Sequence, residues 1–431
     1  MQPSGVETAV SKEKPTSIEG STVPITEGPV SETAGTGDVP KWDGLPISRL
    51  LSRLEALSPI VDDRQGASVR IEILSDAEEL RARLHYWRAL VAAAVVPNPW
   101  LEPAAVLSYL DLAEIEKGPG HGLAPKFLLL WHDSGSEDPF RDRRLVAMLA
   151  FTPARKGAEG SYGAALGWRL PGGLATPLVH RHHQRAVAAA LSHWLKSGDA
   201  GYRVLTLEGT GPEDLWREEL HRSAMATGVR LDTIGDAPDC VYHGRWSELF
   251  RLSEFRRGEE EYEPLAGVEV FTPATLDAGI VADSVAYEAV WRGGQGLEDS
   301  EEEWIADHRF AHFNLAEQEG RLFLGRGVLG GRVRALVIVL KSGPDAVVAG
   351  VSADPKLAEA ELAPLIQRVL KGLQTRISNY AGIVRLRTGP YADDETFQAL
   401  FPDRIARDTV TMSIKRFSGV TNWPLFGSRQ A

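Results

Sequence analysis

Apolar residues change period several times along the chain, and the clearest change lies between Gly331 and Pro390. Arg332–Leu340 (RVRALVIVL) and Ala346–Val351 (AVVAGV) are short apolar runs rich in β-branched residues. Lys341-Ser342-Gly343-Pro344-Asp345 separates them, and the pattern predicts a hairpin. From Pro355 to Arg376 the period becomes helical, with Leu362, Leu365, Ile366, Val369, Leu370 and Leu373 on one face. Gly382–Arg387 (GIVRLR) returns as a strand. A helix between two strands is a crossover that pairs them in parallel, so hairpin plus crossover predicts a mixed sheet.

The remaining chain is read by the same rules. Residues 1–40 carry no aromatic residue and are dominated by Ser, Thr, Gly, Pro, Glu and Val, a composition expected to stay disordered. Residues 41–67 contain an amphipathic helix with Ile47, Leu50, Leu51, Leu54 and Leu57 on one face. That helix is either a clasp on the main body or a docking element for a protein partner.

A first unit spans 68–253. It has a strand at Val69–Leu74, a helix with N-cap Ser75 running through Trp87, a stop at Pro97, and a short helix Glu102–Asp111. A hairpin of Lys126–Trp131 and Arg144–Thr152 follows, then helix His183–Lys196, strand Arg203–Leu207, helix Glu213–Thr227 and strand Asp239–His243. A linker, 254–266, leads to a second unit, 267–417, with strand Val268–Phe271 and helices Thr275–Val290 and Glu301–Gln318. The hairpin and crossover come next, then helix Asp394–Phe401 and strand Val410–Lys415; the tail 418–431 is polar. The two units share one order of elements, which implies an internal duplication of a small mixed α/β sheet.

Composition removes some functions. Net charge is −12, which disfavours general binding of nucleic acid or anionic membrane, and weakens an aminoacyl-tRNA-dependent reading. Cys240 is the single cysteine, so neither an intrachain disulfide nor a cysteine-based zinc site is expected. The first residues lack a secretory signature, and the longest apolar run, Ala89–Val96, is too short to span a bilayer. A cytoplasmic protein is the expectation.

Four stretches carry a family resemblance. Pro97-Asn98-Pro99-Trp100-Leu101-Glu102-Pro103 resembles a Pro-Asn-Pro-Phe-x-Glu-Pro segment, and Glu288-Ala289-Val290-Trp291-Arg292-Gly293 resembles Glu-x-x-Trp-Lys-Gly. Ala175-Thr176-Pro177-Leu178-Val179 and Gly330-Gly331-Arg332-Val333-Arg334-Ala335 are similar to two further segments of the same family. These segments belong to CelD-like proteins, acyltransferases of the GNAT superfamily associated with cellulose or exopolysaccharide loci and related to Fem-type transferases. The similarity runs from about Ile71 to Met412. It implies two tandem GNAT-like units, acyl-CoA (acetyl-CoA) as co-substrate, no metal, and a small-molecule or glycan acceptor. The chain departs from the family at Ala349–Asp354 and at the helix start Glu359–Pro364, which lacks a Ser-Pro-Gly segment.

Such a transfer needs a backbone N–H at a splayed strand, a helix N-terminus for the diphosphate, and a base. Gly350 and Val351 mark the splay of the second unit, or Gly350 serves packing alone. The helix start at Glu359–Ala363 is acidic, a poor cradle for an anion. The first unit offers Gly172 and Gly173, then Arg181 and Arg185 at a helix start, either a phosphate site or a solvated basic turn. His180, His182 and His183 stand too close together for metal ligands on one helical face. By resemblance, Glu288 is the base, Trp291 an acceptor wall and Arg292 an anion clamp; the plainer reading is a helix end with a core Trp. Tyr391 and Asp393 lie just past the last crossover strand, where a phenol could protonate a leaving thiolate. The rival to catalysis is a binding or scaffold protein on a degenerate acyltransferase fold.

Overall fold

The computed structural model describes residues 61–414, apart from 63–67, 117–124, 134–142, 154–162, 169, 171–172, 199–201, 211–215, 244–266, 293–298, 379, 381–382, 384, 392–400 and 402. The tail 1–40, helix 47–57, helix Asp394–Phe401 (all but its last residue) and the tail 418–431 expected from the sequence lie outside the described residues. The first half contains β1 (Val61–Asp62), β2 (Ser68–Leu74), α1 (Ala77–Arg81), α2 (Leu84–Ala93), α3 (Pro103–Glu116), β3 (Lys126–Asp133), β4 (Arg143–Pro153), β5 (Gly163–Gly167), β6 (Leu178–Val179), α4 (Gln184–Ser197), β7 (Tyr202–Thr210), α5 (Trp216–Thr227) and β8 (Arg230–His243). The second contains β9 (Val268–Phe271), α6 (Ala278–Arg292), α7 (Asp299–Gln318), β10 (Leu322–Leu329), β11 (Arg332–Ser342), β12 (Asp345–Ala353), α8 (Glu359–Ser378), β13 (Arg385–Arg387) and β14 (Asp403–Ser413).

The duplication is present, but the two mixed sheets expected from the sequence are joined. Among the described residues one 14-stranded sheet runs β1-β2-β3-β4-β5-β7-β14-β8-β13-β12-β11-β10-β9, with β6 beside β4. Read outward from the β14–β8 pair, the order is the same in both directions apart from β1, which has no counterpart. Each half's last strand has crossed to the other: β14 lies antiparallel between β7 and β8, and β8 lies antiparallel between β14 and β13. The exchange also joins the cores. Val410 and Met412 of β14 belong to the cluster built on Leu191, Trp194 and Leu205 of the first half.

The expected hairpin and crossover are observed. β11 and β12 pair antiparallel, and β12 and β13 pair in parallel across α8. The apolar stripe of α8 faces the sheet, with Leu365, Val369, Leu370 and Leu373 buried. It can approach because Gly325 and Gly327 present no side chain: a Cβ on Gly325 would stand 2.5 Å from Val369 Cγ1, and one on Gly327 2.8 Å from Leu365 Cγ. At the first helix the cap is Asp76, whose side chain accepts the Glu79 N–H, in place of the expected Ser75. That helix is divided at Ala82–Arg83, where the buried Arg83 guanidinium turns inward to Glu72.

The Pro97–Pro103 segment joins the halves. Asn98 donates to the carbonyls of Leu174 and Thr176 at 3.0 and 2.6 Å and accepts the Trp100 N–H at 3.1 Å. Trp100 thereby enters a core cluster otherwise made largely of second-half residues, including Trp291, Phe313 and Leu336. Glu102 is ion-paired with Arg321, and Arg88 with Glu319 at 2.9 Å. Nearby, Tyr109 of α3 meets Trp304 of α7 edge-on at 5.3 Å.

Candidate functional site

Each half has a parallel pair where its fourth and fifth strands meet, and the two pairs differ. In the second half β12 is bonded to β13 only through Asp345, Ala346 and Val347. Beyond Val347 the strands part: β13 ends at Arg387, while β12 runs on to Ala353. The register of β12 against β11 slips between Val348 and Gly350, a bulge at Ala349 that turns the strand at the start of the gap. The root of the gap is pinned by Asp345, which is fully buried. It accepts from Arg385 Nε and Nη2 at 2.9 and 2.8 Å, and from Arg387 Nε at 2.7 Å.

At the open end, Val351 N–H donates to the hydroxyl of Tyr391 at 3.0 Å. Gly350 sits on the floor of the gap. A Cβ there would make ordinary contact with Ile338 and Arg309, at 3.4 and 3.5 Å, so packing does not require glycine at this position.

The helical face brings Glu288 to the same strand. On α6 the inward stripe is Val281, Ser284, Val285 and Glu288, so a carboxylate is carried into the core at 2 % exposure. Arg309 of α7 ion-pairs with it, and Ser352 Oγ donates to Glu288 Oε1 at 2.7 Å. The α7 stripe that delivers Arg309 also buries His308 and His312. His308 Nε2 bonds to Ala105 O at 3.2 Å, and burial pushes its pKa down to about 4. His312 is likewise pushed well below the usual imidazole range, by burial and by its neighbours His308 and Arg309.

The structure thus gathers Glu288, Gly350, Val351 and Tyr391 of the expected site residues at one gap. Trp291 lies one turn further along α6, buried and stacked on Tyr287 at 5.7 Å, and forms part of the core rather than an open wall. The side chain of Arg292, and Asp393 and Gly172 entirely, lie outside the described residues. Arg309 and Ser352 escaped the sequence reading. One signal existed: Glu288 and Arg309 both fall on the apolar stripes of consecutive helices, where an acid and a base must meet each other.

The helix start at this gap is α8. Its first turn is organised by Ala358 O, which accepts from the N–H groups of Glu361 and Leu362. The preceding loop holds Asp354, paired with Arg334; the Lys356 N–H, at 2.9 Å, together with that guanidinium keeps the carboxyl below the usual range.

Among the described residues, the gap of the first half is occupied by a side chain. The pair β5–β7 is bonded only at Gly163–Ala165, and the fourth strand breaks at Gly167 and resumes as β6. Gly209 of β7 receives Thr176: a Cβ there would lie 2.0 Å from Thr176 Oγ1. Among the described residues, a space of about 10 Å³ remains between Val95, Thr176, Val179, Gly209 and Trp216, about the size that holds one water.

The expected anion site of this half is also committed elsewhere. Gly173 faces Trp100, whose ring would stand 2.7 Å from a Cβ, so this glycine serves the junction of the halves. Arg181 donates to the carbonyls of Ala92 and Ala93 at 3.2 Å, closing the end of α2. Arg185 is exposed on the first turn of α4. His180 and His183 cluster there with His132, the His132–His183 rings 4.4 Å apart. Both are pushed down to about 4, first by burial, then by neighbouring positive groups: His182, Arg144, Arg181 and His132 for His180, and His132, His180, Arg144 and His182 for His183, so they add no positive charge near neutrality. Among the described residues no group of three or more His, Cys, Asp or Glu is placed to hold a metal ion.

A duplicated mixed sheet with a parallel fourth and fifth strand in each half is a tandem GNAT-like fold. Protein-family models and curated proteins give no match to the chain. Solved structures do. One is a tandem GNAT protein from the clavulanic acid biosynthesis pathway, at 16% identity and TM-score 0.43 over 80% of this chain and 98% of that one. Others are FemX, at 7%, 0.44, 79% and 96%, and a conserved protein of unknown function from Bacteroides thetaiotaomicron, at 13%, 0.45, 80% and 99%. The assignment here rests on the strand order, because overlaps this loose do not bear on function.

Proposed function

We propose that the second half is an acyl-CoA-dependent acyltransferase, and that the first half supports it without a site of its own. The observation that carries this reading is the parting of β12 from β13 beyond Val347, with Val351 N–H turned into the gap. Such a donor suits the carbonyl oxygen of a thioester. The acyl end of the donor fits these residues. The diphosphate end fits less well, since the start of α8 has no glycine and the nearest loop cation is Lys356.

In this reading Val351 N–H polarises the acyl carbonyl. Glu288, fixed by Arg309 and Ser352, takes the proton from an attacking hydroxyl or amine on the helical face of β12. The new bond forms as the carbon–sulfur bond breaks, and Tyr391 returns a proton to the thiolate. The acceptor is proposed to be a glycan or other envelope-related molecule, met in the cytoplasm. No described helix is long and apolar enough to cross a membrane.

Calorimetry with acetyl-CoA on the full chain, and on Gly350→Trp, tests the donor site. Binding to the parent chain and its loss in the variant is the expected result. The absence of binding by acetyl-CoA or longer acyl-CoAs would refute the reading. It would favour a non-catalytic scaffold, which the filled gap of the first half and the acidic start of α8 already suit.

A further inference from the structure

The donor at the gap already has an occupant. Gly389–Tyr391 forms a single 3-10 turn directly behind β13. Gly389 has φ 57° and lies against the parted strand: a Cβ there would be 2.8 Å from Val347 Cγ1 and 3.1 Å from Val348 O. Only glycine combines that backbone with that approach. The turn is closed by Tyr391 N–H on Thr388 O at 3.2 Å, and the tyrosine ring packs against the core cluster under α8. These contacts hold the phenol oxygen 3.0 Å from Val351 N. One N–H in a narrow gap serves one acceptor well, so a phenol oxygen and a thioester carbonyl exclude each other there.

Building on the acyltransferase reading above, we propose that Tyr391 is a specificity-determining residue: its hydroxyl competes with the acyl carbonyl for Val351 N–H and sets how strongly the gap prefers acyl-CoA over free CoA. An acyl donor must displace the phenol. Free CoA carries no carbonyl at this point, leaves the phenol in place and gains nothing from its removal. The intact site is therefore less selective for its substrate over its product than the same site without the hydroxyl, so free CoA competes with acyl-CoA more effectively while Tyr391 is present.

The test is Tyr391→Phe in the full chain, which keeps the ring and its packing. Dissociation constants for acetyl-CoA and for CoA are measured by calorimetry on both proteins, and exchange of the Val351 amide is followed without ligand. Loss of one neutral hydrogen-bond competitor is expected to tighten acetyl-CoA by about five-fold. CoA affinity is expected to change less than acetyl-CoA affinity, so that the acetyl-CoA to CoA ratio rises, and the Val351 amide to exchange faster. If both compounds bind and the acetyl-CoA to CoA ratio is unchanged or lower in the variant, competition by Tyr391 is overturned while the acyltransferase reading stands. If neither compound binds either protein, both are overturned.

Discussion

Met412 is the residue through which the two halves can be tested as one folding unit. It lies on β14, opposite Leu205 of β7 on one side and Leu231 of β8 on the other. It is fully buried in the first half's core. Met412→Ala removes that packing and is expected to cost about 2–5 kcal/mol. A fragment of residues 44–253 loses Val410 as well, so burial alone worth about 3–6 kcal/mol disappears. It also leaves facing edges of β7 and β8 without their shared partner. A domain's whole margin is about 5–15 kcal/mol, so the fragment is expected to lack a cooperative urea transition. In Met412→Ala, hydrogen exchange should rise in α4 and β7, far away in sequence. A fragment 44–253 that unfolds cooperatively with the midpoint of the full chain would refute this account of the core.

Other perturbations reach the remaining contacts. Arg309→Leu strands the buried Glu288 carboxylate with fewer partners and should cost about 3–5 kcal/mol in urea unfolding, while Glu288→Leu with Arg309→Leu recovers much of it; a single variant as damaging as the pair or less would argue against a coupled site. Gly325→Ala pushes a methyl toward Val369 and Leu373 and should destabilise by about 1–3 kcal/mol, and an unchanged melting temperature would show that α8 can move away freely. Acid should act through His308, which takes a proton near 6.5 when unfolded but only near 4 when folded. Between those values the unfolded chain holds more protons, so stability falls as pH drops through this window and levels off below it, by about 3 kcal/mol for this residue. In His308→Gln the slope of unfolding free energy against pH between 6.5 and 4 should be shallower, and an identical slope would assign acid sensitivity elsewhere.

Much of the second half was legible because its local signals agree with its tertiary ones. Val, Ile and Leu crowd Arg332–Leu340, and α8 repeats its apolar face through a full stripe, so period alone separates strand from helix. Strand β5 gave no such signal: Gly163-Ala164-Ala165-Leu166-Gly167 has neither β-branched residues nor alternation, and pairing with β4 and β7 makes it a strand. The exchange of β8 and β14 is likewise silent, since a strand's sequence records which face is buried and not whose edge it joins. Pro97–Pro103 was legible as a resemblance, yet its residues act as a junction, with Trp100 in the neighbouring core. Of the site, Glu288 and Tyr391 could be singled out by resemblance and position. Arg309 and Ser352 could not, because their meaning lies in a contact between elements distant in sequence.

Because the strand that seals the first half follows every other element of the second half in the chain, a ribosome must make Val268–Met412 before the first half can close. Until residue 413 has left the exit tunnel, the newborn chain carries two open hydrogen-bonding edges where β14 will dock. Two such molecules meeting at that moment can each accept the other's β14, so the interval before that strand docks, rather than the finished fold, is where this architecture is most exposed to entanglement.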